Sequence, residues 1–330
     1  MKVFGRTITR LAVLLSCAGM LAGSFGVSAQ AQSYPDRSIR LVVGFAAGGG
    51  SDAVARLIAS GLGEKLGQSV VVENRPGANT IIATQYVKGQ PADGYTLLYT
   101  SASFVINPAL QAVSYDVKKD FVPVALINSI PLLLVTNNQV PASNIEELVA
   151  YAKSQPNRLS YASFGVGSAA HLAAEQFLAK TGLDMLHVPY KGSAPGLVDV
   201  MGGQVTMMMP GIGSAVALVK EGKLRAIAVS SAKRASVMPD VPTIAESGVD
   251  GYEIVTWETI QAPAGTPPDV VARLNVAIGE VLASPEIREK MIKLGVEPES
   301  AKSPQEVAAF MDREAEKFAA IIRERRIQVQ

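Results

Sequence analysis

Two stretches combine residue types that can hold an anion. The first is Phe45-Ala46-Ala47-Gly48-Gly49-Gly50-Ser51-Asp52, and the second is Ser163-Phe164-Gly165-Val166-Gly167-Ser168-Ala169-Ala170-His171. In each, glycines let a ligand approach the backbone, and Ser51 or Ser168 follows as a candidate helix cap. A helix start offers unpaired N–H groups and the positive end of a dipole. It therefore binds an anion without Arg or Lys. Taken singly, each corner also reads as turn glycines followed by a plain cap. Two such corners in the two halves of one chain point instead to a ligand held between two lobes.

Other chemistry finds little support. The two histidines, His171 and His187, come without an acidic cluster, which makes a poor metal site. His171 falls in a first helical turn, where the dipole disfavours its charged form; it either donates to a ligand or braces the loop. His187 sits on an expected strand and reads as packed. There is no Gly-x-Ser-x-Gly elbow and no Walker loop. Gly165-x-Gly167-x-x-Ala170 matches a dinucleotide fingerprint, which makes a nucleotide-dependent oxidoreductase the remote rival. Its acidic partner should end the next strand, yet Asp184 precedes Met185-Leu186-His187-Val188. Asp52 serves the helix start electrostatically. Trp257 reads as core or cleft wall, and Met207-Met208-Met209 as core.

The elements that position the corners alternate short apolar runs with helical periods, an α/β pattern. Strands are expected at 39–45, 70–73 and 96–100, with helices at 51–66 and 80–88 between them; this is a doubly wound half. The theme repeats with strands at 132–135, 159–163, 187–189, 205–209 and 224–230 and helices at 144–154 and 168–180. Three helices at 268–282, 285–294 and 304–323 close the chain, each with Pro at or near its start.

Composition sets the compartment and excludes partner classes. The chain has 330 residues, 48% hydrophobic and 18% charged, with mean hydropathy +0.23, which is globular rather than disordered. Lys plus Arg is 30 and Asp plus Glu 29, so no basic excess marks a nucleic-acid partner. Residues 1–31 read as a signal peptide. Lys2, Arg6 and Arg10 lead an apolar core, and Ala29-Gln30-Ala31 is a small-residue cleavage site. Cleavage after Ala31 removes Cys17, the one cysteine, and a chain without thiols suits an oxidising periplasm.

Ordered blocks along the mature chain carry a resemblance. They include Gly48-Gly49-Gly50-Ser51-Asp52, Val72-Glu73-Asn74-Arg75-Pro76-Gly77-Ala78, Asp93-Gly94-Tyr95-Thr96-Leu97 and Lys119-Asp120-Phe121-x-Pro123. They continue with Ser160-Tyr161-Ala162-Ser163-x-Gly165-x-Gly167-Ser168-x-x-His171, His187-Val188-Pro189-Tyr190-Lys191-Gly192, Met238-Pro239-Asp240-Val241-Pro242-Thr243 and Ala262-Pro263-Ala264-Gly265-Thr266-Pro267. With these the chain resembles the Bug-type extracytoplasmic solute receptors of tripartite tricarboxylate transporters.

The resemblance implies a type II-like two-lobed periplasmic binding protein. Lobe 1 would take 32–128 and 254–330, and lobe 2 would take 129–253. One long strand at 121–135 would cross outward, and the run 253–262 would return. In that family, backbone groups and ordered waters grip one carboxylate. Carried over by position, lobe 1 contacts fall on Phe45, Ala46, Ala47, Gly48, Gly49, Ser51, Ala78, Asn79, Ser101 and Ser103. Lobe 2 contacts fall on Ser163, Gly165, Gly167, Ser168, His171, Tyr190, Lys191 and Gly192. The implied function is capture of a small carboxylate or dicarboxylate and its delivery to membrane permease subunits, with sensing as the alternative. A monomer with no cofactor, no metal and no catalytic residue is expected. The chain departs from the family pattern in three places. Ala47 stands where Pro is frequent, Asn79-Thr80 where two glycines are usual, and Glu258-Thr259 where Phe-Gly is usual.

Overall fold

The computed structural model describes residues 34–156 and 158–328; the expected signal peptide lies outside them. Contacts divide the chain after Asp36 into two units, and every strand and helix named here belongs to the unit that begins at Arg37.

Its first strand, β1 (Ile39–Val43), is buried except at Arg40, as a parallel strand covered on both faces must be. Helix α1 (Gly50–Leu66) turns Val54, Ala55, Ile58, Leu62 and Leu66 inward, the period of a one-faced helix. Gly67 ends it in the left-handed region (φ 68°) and donates its N–H to the Gly63 carbonyl. Then come β2 (Val70–Asn74), a 3₁₀ turn at Ala78–Thr80, α2 (Ile81–Lys88), β3 (Thr96–Ser101), α3 (Ser103–Leu110) and β4 (Phe121–Pro131). The second half holds β5 (Leu133–Thr136), α4 (Ile145–Ser154), β6 (Ser160–Ser163), α5 (Ala169–Thr181) and β7 (Leu186–Pro189). It continues with α6 (Ser193–Met201), β8 (Met207–Met208), α7 (Ile212–Lys220) and β9 (Arg225–Val229). The chain then returns through β10 (Val255–Pro263), α8 (Pro268–Ala283), α9 (Pro285–Lys293), β11 (Glu297–Pro298) and α10 (Pro304–Glu324).

Two mixed sheets result, in the orders β11-β4-β10-β3-β1-β2 and β7-β6-β8-β5-β9. In the first, β1 pairs in parallel with β2 and β3, and β10 runs antiparallel between β3 and β4. In the second, β6 pairs in parallel with β7 and β8, and β5 runs antiparallel between β8 and β9. The second sheet therefore has one reversed strand, β5, and the first has two, β10 and the short edge strand β11; β5 and β10 are the strands through which the chain arrives from the other sheet.

The expected single strand at 121–135 is two strands in different sheets, β4 and β5, separated by Leu132 alone. Ser230 pins both crossings. Its buried hydroxyl accepts from the Leu132 N–H (2.9 Å) and donates to the Ile254 carbonyl (2.5 Å). The halves meet elsewhere as well. Arg325 beyond α10 donates to Glu175 of α5 (2.5 Å), and the Ser236 N–H and hydroxyl both donate to Glu297 (2.7 and 2.9 Å). A Cβ on Gly213 would lie 2.2 Å from the Leu294 carbonyl oxygen, so only glycine permits that backbone approach.

Trp257 is fully buried and donates from Nε1 to Glu314 of α10 (3.2 Å); it is core rather than cleft wall. Met207, Met208 and Met209 are core too. Among the described residues, no helix is long and apolar enough to cross a membrane.

Candidate functional site

The first corner follows β1. Helix α1 begins at Gly50 with Gly49 as its N-cap and no side-chain cap bond. Ser51 is therefore not the cap that its type suggests; it is the second helical residue, half-buried. Three glycines in a row let the helix start before the Ser. Gly48 takes a left-handed φ of 81°, which a glycine adopts at no steric cost. Its N–H donates to Asp52 Oδ2 (2.9 Å). Asp52 also accepts from Arg56 Nε (2.9 Å) and Asn74 Nδ2 (2.8 Å). These bonds, the Arg56 contact first, pull its pKa down to about 2 against the opposing effect of burial. Asn74 also donates to the Phe45 carbonyl (3.0 Å), which fixes the loop. Ala46, Ala47, Gly48 and Gly49 are exposed. The opening N–H groups of α1 at Gly50 and Ser51 have no intrahelical partner by position.

Beside this corner lies the 3₁₀ turn. Ala78, Asn79 and Thr80 take φ values of 44°, 51° and 73°. Three consecutive non-glycine residues in the left-handed region carry strain, most of all the β-branched Thr80. Side chains hold the turn in place. Asn79 Nδ2 donates to Asn107 Oδ1 (2.9 Å), and Asn107 Nδ2 donates back to the Asn79 carbonyl (2.9 Å). The buried Ser103 hydroxyl lies between Ser101 Oγ (2.7 Å) and Thr80 Oγ1 (3.3 Å). Ser101 and Ser103 thus brace the turn from β3 and α3.

The second corner follows β6. Ser168 is the N-cap of α5. Its hydroxyl accepts from the His171 N–H (3.3 Å) and donates to the Gly165 carbonyl (2.7 Å). Gly165 and Gly167 take φ values of 131° and 73°. The Gly167 N–H donates to His171 Nδ1 (3.0 Å), which places the ring proton on Nε2, 3.9 Å from Glu175. His171 stacks on His187 at 3.9 Å. Burial, then the neighbouring His187, lowers the His171 pKa to about 3. Burial lowers that of His187 as well, and His187 Nε2 lies 2.7 Å from the Ser163 hydroxyl. Both imidazoles are neutral braces near pH 7, so the corner's attraction for an anion comes from its backbone. The N–H groups of Ala169 and Ala170 open α5 as its orphan donors.

Tyr190 donates its backbone N–H to the Ser163 carbonyl (2.9 Å) and its hydroxyl to Asp199 (2.5 Å). Burial and that acid raise its pKa to about 12. Lys191 is exposed, and Gly192 caps α6 with φ 105°.

The two sets meet at α3. A Cβ on Gly167 would lie 2.0 Å from Leu110 Cδ1. Leu110 stands one turn after Asn107, the residue that holds the Asn79 turn. The second corner therefore abuts the helix that braces the first half's turn. A cavity of about 700 Å³ lies elsewhere, lined by Arg37 to Arg40 and Tyr95 at the opposite end of β1 and β3. The sequence does not mark Asn107 and Leu110, because Pro108 hides the helix that carries them; it marks Glu258 only as a departure from the family pattern. Among the described residues, no group of three or more His, Cys, Asp or Glu is placed to hold a metal. Asp184 precedes β7, whose last residue is Pro189, so no acid ends the strand that the dinucleotide reading requires.

Comparison with known proteins gives the same direction. The profile of the tripartite tricarboxylate transporter family receptors matches residues 54–327. The chain belongs to this receptor family. It is 36% identical to Protein BugT of Bordetella pertussis over 316 residues, 94% of this chain and 97% of that one. The receptor is also similar to the solved structure of R. palustris Rpa4515 with adipate, with 37% identity and TM-score 0.81, covering 89% of this chain and 99% of that one. The structure of MatC from Rhodopseudomonas palustris with bound malate is similar at 32% identity and TM-score 0.76, covering 88% and 100%. The receptor fold and its α/β organisation are thereby established.

Proposed function

We propose that this receptor is exported, with cleavage after Ala31, and captures a small dicarboxylate in the periplasm for delivery to a tripartite transporter permease. Residues 32–128 with 254–330 form one lobe and 129–253 the other, and the receptor acts as a monomer whose lobes close on the ligand. The observation that carries the reading is the pair of glycine corners. Each precedes a helix whose first N–H groups lack intrahelical partners, and the second abuts α3 through Gly167 and Leu110. Neutral His171 and His187 and the paired Asp52 leave backbone dipoles as the attraction for a carboxylate. Relatives solved with adipate and malate supply the chemical class: linear acids with a carboxylate at each end. Closure follows from tighter binding to the closed than to the open state. The test is calorimetry and thermal unfolding of the mature chain against adipate, malate and monocarboxylates. A ligand at 100 times its Kd stabilises the fold by about 2.7 kcal/mol. Heat and stabilisation with a dicarboxylate are expected; no response to any organic acid contradicts the reading.

A further inference from the structure

The second corner has an acid of its own. Helix α5 carries one acidic residue, Glu175, whose side chain is 12% exposed. Its Oε1 accepts from the Tyr161 hydroxyl, and its Oε2 accepts from Arg325 Nε (2.5 Å). Oε1 also lies 3.9 Å from His171 Nε2, and His171 Nδ1 takes the Gly167 N–H (3.0 Å). A single imidazole therefore separates this carboxylate from the glycine corner.

Such a charge works against the site. Ala169 opens α5 and Glu175 follows six residues on, roughly 9 Å along the axis at about 1.5 Å per residue. At an effective dielectric of about 20, a like charge roughly 10 Å from a carboxylate weakens binding by about tenfold. The groups around Glu175 in its own half bring no compensating charge. Tyr161 is a phenol, and burial keeps His171 and His187 neutral near pH 7. Lys180 of α5 reaches the Asp250 carbonyl instead (3.0 Å). The answering charge comes from the other half. Helix α10, tied to β10 by the Trp257–Glu314 bond, ends at Arg325. Arg326 then takes a left-handed φ of 51°, and the Ile327 N–H donates to the Ile322 carbonyl (3.0 Å). This stop fixes Arg325 where it meets α5.

We propose that Arg325 is a positioning residue of the anion site: reaching from the first half, it cancels the Glu175 carboxylate behind the second corner and so keeps that corner attractive to an anion. The idea rests on the carboxylate reading above. It also gives closure a source of affinity. The corner is neutralised only while α10 and α5 are in contact, so docked halves hold an anion more tightly than parted ones.

Calorimetry of the mature chain with adipate compares wild type with Arg325→Gln, Glu175→Gln, the double variant and Arg325→Lys. Arg325→Gln should weaken binding by about tenfold at low salt and less at high salt. Glu175→Gln removes the opposing charge and should bind as tightly as wild type or tighter. The double variant should return to within about twofold of wild type. Arg325→Lys keeps the charge and should restore most of the affinity. A strap that merely ties the halves together gives another pattern: both single variants weaken binding alike, and the double variant is no better. That pattern overturns the proposal, and so does wild-type affinity in Arg325→Gln. Should Arg325→Gln fail to fold, weakened binding by Glu175→Gln is enough to overturn it. A second readout needs no ligand. His171 and His187 are the two histidines of the chain, and NMR follows their titration down to the pH of unfolding. Arg325→Gln should move that titration up by about one pH unit; an unmoved titration overturns the proposal. If wild type binds no acid, the carboxylate reading falls, while the titration still decides whether Arg325 cancels Glu175.

Discussion

Gly167→Ala separates folding strain from lobe closure. Gly167 holds φ 73°, and an alanine in the left-handed region costs about 1–2 kcal/mol. That cost is local and is present with or without ligand, so it should lower Tm by a few degrees. The new Cβ would also sit 2.0 Å from Leu110 Cδ1. Leu110 is half-buried and can change rotamer, at roughly 0.5–1.5 kcal/mol. If the lobes close on the ligand with Gly167 against α3, this second cost falls on the bound state. Affinity should then drop by about two- to tenfold. Leu110→Ala in the same chain removes the clash and should recover the affinity while the loss in Tm remains. Calorimetry and thermal unfolding on the single and double variants read the two terms separately. A Gly167→Ala protein with lowered Tm and unchanged Kd would refute the claim that this contact belongs to the bound state. So would failure of Leu110→Ala to restore Kd.

Three further outcomes follow from the geometry. Ala78→Gly should stabilise the fold by up to about 1 kcal/mol, because relief of the left-handed alanine at φ 44° exceeds the added freedom of the unfolded chain; a raised urea midpoint confirms it. Ser230→Ala should cost about 1–3 kcal/mol, since it strips the buried Leu132 N–H of its acceptor; the same midpoint measures this. His171 is neutral in the folded chain, with its pKa depressed to about 3 from 6.5. Its contribution is therefore full above about pH 6.5 and is lost as pH falls toward 3, on the order of 2–4 kcal/mol in all. His171→Gln keeps an acceptor for Gly167 and should flatten that part of the pH profile in acid unfolding.

The parts that are legible in the sequence are those governed by local pattern. Continuous apolar runs mark β1 and β3, and the 3.6-residue period with Gly67 as its stop marks α1. Ser168 reads correctly as a cap because its side chain bonds locally. Ser51 misreads because a cap depends on where the backbone leaves the extended region, and a run of glycines leaves that open. Helix α3 is hidden by Pro108 inside it, and α6 and α7 by Pro195, Gly196 and Gly213, residues that signal turns. The split of 121–135 into two sheets depends on the partner strands, which no local period encodes. Asn107 gains its role only from helix α3, so its type alone pointed nowhere.

The most direct test is a crystal structure of the mature chain grown with adipate or malate. The account predicts a carboxylate within hydrogen-bond distance of the Ala169 and Ala170 N–H groups, with the first corner at Ser51 turned toward the same ligand. Ligand density in the cavity beside Arg37 and Tyr95, with both glycine corners unengaged, would contradict it.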